Sequence, residues 1–404
     1  MVDDTGVSSE SDCLLDKKII LIVSGGIAAT ESIKLARELR RHGARVTPVM
    51  TSSAEKIVTP LALSWGSGFD VITDWESLMP QLGDFDGLLL APATRNTIAK
   101  FIHGILDSPA MMALSAASGN GTPMMFVPSM HNDIFDDQVT GDLLRSLDEM
   151  GVNVFYDSTK EGKRKQPDPV SIVANFSNFL NSFLKGRKIV AITLGANRAP
   201  IDSIRYIQNT SSGETGWSIA EYLHRMGHAV VCIAGNTTRE PKFKLPDIRK
   251  NDSPIGMLDL CLELAQSSSK PDAWIHAAAV LDYAPNALNG KKLSGDERWD
   301  ISLYPTKKHI AELSTKTMGK IRIGFKLEVD KTTESLIESA MSLILENNLD
   351  AVVANLLSES THNGELRGRI VLSSSEIVEI ETQRKLSEFV EEIISTCSGD
   401  GTND

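Results

Sequence analysis

The amino-acid sequence predicts an α/β protein of two doubly wound, Rossmann-like domains. Three observations carry that expectation. The chain has 404 residues, and a single hydrophobic core seldom grows past about 250–300 residues. A strand–turn–helix–strand pattern opens at Lys17 and again at Leu184. Before the second opening stands KEGKRKQPDP, a charged segment with two prolines, where the first pattern weakens. The boundary is placed near residue 186. Residues 17–185 and 186–396 then form the domains, and 1–16 and 397–404 are read as disordered tails.

Ile19–Val23 is a β-branched run of the kind a parallel strand buried on both faces requires. Gly25 and Gly26 follow it, and Ala29, Ile33 and Ala36 then recur at helical spacing, with Leu35 and Leu39 beside them. Ala44–Met50 reads as the next strand and completes a βαβ unit. Gly87–Leu90, Pro123–Val127 and Val152–Phe155 continue the sheet. The second domain starts with strand Lys188–Leu194, helix Trp217–Met226 and strand Ala229–Ala234. Ala273–Ala277, Ile321–Phe325 and Ala351–Ala354 are its later strands, with Arg369–Leu372 and Ile377–Ile380 as a hairpin. The two halves share an architecture without a convincing sequence repeat.

Composition narrows the function classes. Hydrophobic content of 41% and charged content of 23% are ordinary for a globular protein. The net charge of −12 argues against a general nucleic-acid binder, which needs basic surface to displace counterions. Small anions remain possible ligands, since backbone N–H groups and helix N-termini hold them. Cys13, Cys232, Cys261 and Cys397 show no CxxC pairing, so neither a disulfide framework nor a zinc site is expected, and a reducing cytoplasm is the simplest setting. No apolar run reaches the roughly 18–20 residues of a membrane span, and the acidic, polar start is not a secretory signal.

Four turns of the first domain fall at strand ends. They are Ser24-Gly25-Gly26-Ile27-Ala28, the Thr51–Ala54 turn with Thr51 and Ser53, Ala91-Pro92-Ala93-Thr94 with Asn96 and Thr97, and Pro128-Ser129-Met130-His131. In an open α/β sheet such ends converge on one crevice. Glycine lets backbone approach a ligand, and hydroxyls, amides and helix N-termini suit a phosphorylated one. One Ser or Thr alone reads as a helix cap; four turns in register point to a ligand. In the second domain Thr193–Gly216 runs from a strand into a polar stretch with Ser211, Ser212 and Gly213 before a helix, again suited to phosphate. The glycine spacing does not match GxGxxG, which weighs against a nicotinamide dehydrogenase.

These segments resemble a known family. SGGIAA, TxxA, LLLAPATxNTIAK and PSMH look like the loops of flavin-binding cysteine decarboxylases over about residues 17–180. IDSIRYIQNTSSGETG, AAVLDY, KKLS, GFKLE and VAN resemble, in order, the phosphopantothenate–cysteine ligase domain over about 186–385. Together they resemble the bifunctional phosphopantothenoylcysteine decarboxylase and phosphopantothenate–cysteine ligase family. The resemblance implies a flavodoxin-like flavoprotein domain followed by a ligase domain. It implies that the first-domain turns hold FMN, which takes up and returns reducing equivalents around loss of CO2.

It further implies that 4′-phosphopantothenate is activated by CTP with Mg²⁺ as an acyl-cytidylate, which the cysteine amine then captures. Asn209 is the residue expected to hold that intermediate. Ser211, Ser212, Gly213, His276, Ala277, Ala278, Asp282, Lys291, Lys292, Thr306, Lys307, Lys308 and Phe325 are expected at the nucleotide, with the register between Lys291 and Lys292 open. The metal ligands are not assigned. The family implies a homo-oligomer, with trimeric flavin domains and dimeric ligase domains.

The chain departs from the pattern in places. The family's catalytic His is matched by Leu78 or Met79, its PxMN asparagine by His131, and no cysteine lies between Cys13 and Cys232. Leu and Met exchange no protons. His131 is therefore the candidate catalytic imidazole of the first domain, or a hydrogen-bonding group without proton transfer. Lys160, Lys163, Arg164 and Lys165 stand where the family has its flap. They meet a substrate phosphate, or form solvated surface. No lysine occurs in SAMSLILENNLDAVVAN, where the family has two, so ATP stands beside CTP. A ligase on a decarboxylase-inactive flavin scaffold is the alternative function.

Overall fold

The structure is a computed structural model, and it describes residues 6–76, 79–157, 163–292, 294–295, 298–361 and 366–396. The chain divides into two compact units. One is Met1–Phe183 with Arg225–Gly227; the other is Leu184–His224 with His228–Asp404.

The first unit is built on five parallel strands: β1 (Lys18–Val23), β2 (Arg45–Met50), β3 (Gly87–Ala93), β4 (Met124–Pro128) and β5 (Asn153–Val154). Their order in the sheet is β2-β1-β3-β4-β5, the flavodoxin-like order, whose switch point lies between β1 and β3. All of β3 is buried, as is β1 after Lys18. Successive side chains point to opposite faces. Accordingly Ile19, Leu21 and Val23 join Leu35, Leu39 and Phe176 in one core. Ile20 and Ile22 join Phe101, Leu114 and Phe126 in the other. The first turn is a short 3-10 segment, Ile27–Glu31, before the helix Ser32–Arg41.

The second unit has an eight-stranded sheet. Its strands are β6 (Ile189–Leu194), β7 (Ala229–Ala234), β8 (Asp247–Lys250), β9 (Ala273–His276), β10 (Ile321–Glu328), β11 (Ala351–Leu356), β12 (Gly368–Leu372) and β13 (Ile377–Ile380). The order is β8-β7-β6-β9-β10-β11-β12-β13. The first six of these are parallel, and the last two form an antiparallel hairpin at the edge. That arrangement places a switch point between β6 and β9.

Two readings are corrected and one strand is added. Residues 6–16 are not wholly a disordered tail: Glu10 N–H donates to the Arg41 carbonyl at 2.8 Å and Leu14 N–H to that of His42 at 2.9 Å. The polar start ends in Cys13-Leu14, which bury among Leu35 and Leu39, and Ser11 Oγ lies 2.7 Å from His42 Nδ1. Strand β8 was not anticipated, because DIRK is polar and half-buried at a sheet edge. The helix expected from Trp217 begins at Glu214, since Gly213 turns the chain at φ +80. Residues 1–5 and 397–404 lie outside the described residues, Cys397 among them. Cys13, Cys232 and Cys261 are free and buried. Among the described residues no helix is long and apolar enough to cross a membrane.

Candidate active sites

At the carboxyl ends of β1, β2 and β3 lies a cavity of about 260 Å³, lined by Gly25, Thr51, Ser53, Thr94, Asn96 and Thr97, with Lys100, Asp107, Ser108 and Met111. Close approach of two turns shapes it. A Cβ on Gly25 would stand 2.3 Å from Ser53 Cβ, so no larger residue fits without parting them. Thr94 both lines the cavity and caps the helix Arg95–Ile102, accepting from Thr97 N–H at 3.4 Å. Thr51 likewise accepts from Ala54 N–H at 3.3 Å. Capping and cavity lining coincide at Thr94, because the start of the helix Arg95–Ile102 faces the sheet's carboxyl edge.

Other predicted residues serve the site from beneath or stand apart. Ser24 is buried; its Oγ donates to the Pro92 carbonyl at 2.7 Å and accepts from Thr94 N–H at 3.0 Å. It therefore ties the first turn to the third instead of facing the cavity. Ala91, Pro92 and Ala93 are buried in β3. Gly26, Ile27 and Ala28 do not line the cavity, and Ile27 is 80% exposed. Met130 and His131 are also outside its lining. They form a two-stranded ribbon in which Met130 pairs with Arg164 and His131 with Lys163. The backbone of the basic segment is thus docked on the loop of the candidate imidazole. His131 is exposed. Leu78 and Lys160 lie outside the described residues, while Met79 sits before a 3-10 turn in the left-handed region at φ 42.

Sequence reasoning missed Lys100 and Asp107, an ion pair at 2.5 Å on the cavity wall. The signal was available: Lys100 stands four residues after Asn96 on one helix, and such positions share a face.

In the second unit the carboxyl ends of β6, β9, β10 and β11 surround a cavity of about 450 Å³. The structure brings Asn209, Ser211, Ser212, Gly213, Ala277, Ala278, Asp282 and Phe325 to it, with Thr215, Lys326, Asn355 and Arg367, none of which sequence reasoning assigned to the nucleotide. Glycine is needed at two points. Gly213 has φ +80 and a Cβ there would meet Thr237 Cγ2 at 2.5 Å; a Cβ on Gly216 would meet Leu194 Cβ at 2.4 Å. The helix Glu214–Arg225 therefore starts hard against β6, with its N–H groups at the cavity. Asn209 Nδ2 donates to the carbonyls of Ala279 and Val280 at 3.2 and 2.9 Å, which holds its amide against the loop after β9.

His276 is corrected. It ends β9, is buried, stacks on Trp274 and lies 3.5 Å from Arg322 Nη2, away from the cavity lining. Burial, then the Arg322 charge, pushes its pKa down to about 3, so it is a neutral core imidazole. Thr306 and Lys307 line a separate, largely apolar cavity with Pro254, Leu258 and Tyr304. Lys308 is exposed at the start of the helix His309–Ser314. Lys291 and Lys292 are also exposed and outside the 450 Å³ cavity. Their loop is fixed by Asp202, whose carboxylate accepts from the N–H groups of Arg205, Ile204 and Lys292 and from the Arg205 guanidinium. Those bonds, the Arg205 and Ile204 N–H groups first, hold the Asp202 pKa down at about 2.

Residues 184–397 match the family described as DNA/pantothenate metabolism flavoprotein C-terminal domain, and residues 7–181 match the family described as Flavoprotein. The coenzyme A biosynthesis bifunctional protein CoaBC of Thermococcus kodakarensis is 34% identical over 87% of this chain and 88% of its own length. The protein of the same name from Methanocaldococcus jannaschii is 30% identical over 93% of each chain. The solved structure of the DNA/pantothenate metabolism flavoprotein from Streptococcus pneumoniae is 26% identical, covering 51% of this chain and 98% of that one with a TM-score of 0.46.

Proposed function

This chain belongs to the family of coenzyme A biosynthesis bifunctional proteins, and on that premise we propose how its two cavities divide the work. Its function is coenzyme A biosynthesis through formation of phosphopantothenoylcysteine and decarboxylation of that product. It carries a flavoprotein domain and a ligase domain.

Ligation belongs to residues 186–396 and their 450 Å³ cavity. The observation that carries this is the gathering of Asn209, Ser211–Gly213, Ala278, Asp282 and Phe325 at the switch point between β6 and β9. The 4′-phosphopantothenate carboxylate attacks the α-phosphate of CTP, pyrophosphate leaves, and the cysteine amine then displaces CMP. A carboxylate is a poor acylating agent, so activation must precede amide formation. Asn209 holds the acyl-cytidylate. Mg²⁺ would enter with the triphosphate and neutralise part of its charge.

Decarboxylation belongs to residues 17–185, with FMN in the first cavity. The residues there fit a phosphorylated flavin, since Thr51, Ser53, Thr94 and Asn96 offer polar groups around a turn that Gly25 alone can form. When bound, the flavin supplies redox chemistry that no side chain can. Lys100 and Asp107 are the ionisable side chains that line this cavity among the described residues. They stand ready to hold or move a proton at the substrate. His131, on its ribbon with Lys163 and outside that lining, is the imidazole we assign to the substrate. A cytoplasmic homo-oligomer, trimeric through its flavin domains and dimeric through its ligase domains, goes with this reading.

One assay tests the whole. The purified protein is incubated with 4′-phosphopantothenate, cysteine, Mg²⁺ and either CTP or ATP, and products are identified by mass spectrometry. Phosphopantetheine with CTP is expected. Phosphopantothenoylcysteine that accumulates unchanged would leave a ligase with a silent flavin domain, and no product with either nucleotide would overturn the division.

A further inference from the structure

We propose that Arg367 grips the phosphates of the activating nucleotide, an inference that rests on assigning nucleotide-dependent ligation to the second-unit cavity. Arg367 lines that cavity. It is held from two sides: its N–H donates to the Ile380 carbonyl at 2.6 Å, and Nη2 donates to Thr215 Oγ1 at 2.8 Å. Thr215 is the second residue of the helix Glu214–Arg225. The guanidinium is therefore fixed in the first turn of a helix, beside N–H groups that carry the positive end of its dipole.

That placement is unfavourable by itself. Cations are stabilised at helix C-termini and anions at N-termini. Burial lowers the Arg367 pKa, and only in part does the Glu214 carboxylate offset it; Glu214 faces Arg239 at 3.9 Å. A conflict between local rules and the fold is most often found at a functional site. A polyanion lying across Ser211, Ser212, Gly213 and the helix start resolves this one, taking hydrogen bonds from the N–H groups and a two-pronged contact from the guanidinium. The second cation on the cavity wall, Lys326, already faces Glu328 at 3.2 Å. The helix Thr333–Asn347 contributes no lysine. Arg367 is thus the cation best placed to receive the departing pyrophosphate.

The test is steady-state ligation by the full-length protein, with nucleotide and cysteine varied separately and pyrophosphate added as product inhibitor. The wild type must first ligate; if it does not, the cavity's assignment fails before Arg367 is at issue. Arg367→Ala is expected to raise the nucleotide KM about tenfold or more, raise the pyrophosphate inhibition constant in parallel and leave the cysteine KM unchanged. Arg367→Lys recovers part of the loss, because it keeps the charge without the fork. Thr215→Val removes a charge-assisted anchor and keeps the guanidinium, so it should raise the nucleotide KM by less than Arg367→Ala does. A nucleotide KM unchanged in Arg367→Ala, a rise shared equally with cysteine, or a Thr215→Val effect as large as that of Arg367→Ala would each overturn the proposal.

Discussion

The carboxylate of Asp202 accepts the backbone N–H of Lys292 at 3.1 Å, across 90 residues of sequence. One buried acid thus fixes the turn Ile201–Arg205 and the loop that carries both candidate phosphate lysines. Asp202→Asn should loosen that loop and raise the nucleotide KM severalfold, with the cysteine KM as control. Its folded pKa, about 2, lies below the ordinary 3.8. The stabilisation it brings is complete above pH 4 and is lost as pH falls towards 2. Acid titration of wild type and Asp202→Asn by circular dichroism should show that increment in the wild type alone.

His276 is expected to be dispensable for nucleotide binding. His276→Gln should leave the nucleotide KM within about twofold, since no cavity contact is removed. Its pH signature is distinct. The folded pKa, about 3, is below the ordinary 6.5, so folding favours the neutral ring. Stability from this group is present above pH 6.5 and falls progressively between 6.5 and 3. Chemical denaturation at pH 7 and pH 5 should show a smaller acid loss in the variant.

Asn209→Asp exchanges an NH2 donor for an oxygen that faces the Ala279 and Val280 carbonyls, now 3.2 and 2.9 Å away. Repulsion at two acceptors costs about 1–3 kcal/mol and displaces the group meant to hold the intermediate. Ligation should fall by about two orders of magnitude or more, read by pyrophosphate release and by mass spectrometry of the acyl-nucleotide.

Gly25→Ala places a Cβ 2.3 Å from Ser53 Cβ. The two turns must part, at a cost of about 1–3 kcal/mol for overpacking. Loss of bound flavin is expected, with the melting temperature lowered by a few degrees. Flavin absorbance of the purified variant checks the first and calorimetry the second. Full flavin retention would show that this turn does not shape the cofactor site.

Lys100 and Asp107 pair with side chains 31% and 48% exposed, so their contribution to stability is at most about 1 kcal/mol. Lys100→Met should therefore leave the melting temperature nearly unchanged. A strong fall in decarboxylation with ligation intact would place the pair in the chemistry; unchanged decarboxylation would make it a surface pair.

Continuous apolar runs and glycine-punctuated turns reached both sheets, because an unbroken run is the local mark of a parallel strand buried on both faces. The runs around Ile19–Val23 and Lys188–Leu194 needed no tertiary information to be seen. Loop polarity reached the first cavity's turns and the stretch Ser211–Gly213 of the second, since strand ends in a doubly wound sheet converge by topology, whereas Ala278, Asp282 and Phe325 came from the family resemblance. Cys13-Leu14 were misread as tail because a two-residue apolar anchor has no period.

What the sequence by itself determined is therefore the two-unit α/β architecture, the family, and the loops that meet at each switch point. Only the tertiary structure decided which side chains face inward. His276 and Phe325 lie on neighbouring strands of the sheet, yet β9 buries the first against Arg322 while β10 presents the second to the cavity. Arg367 reaches Thr215 across 152 residues, brought there by the antiparallel strand pairing of β12 and β13. Such juxtapositions depend on strand order and register, which are set by packing across the whole sheet and leave no trace in local composition.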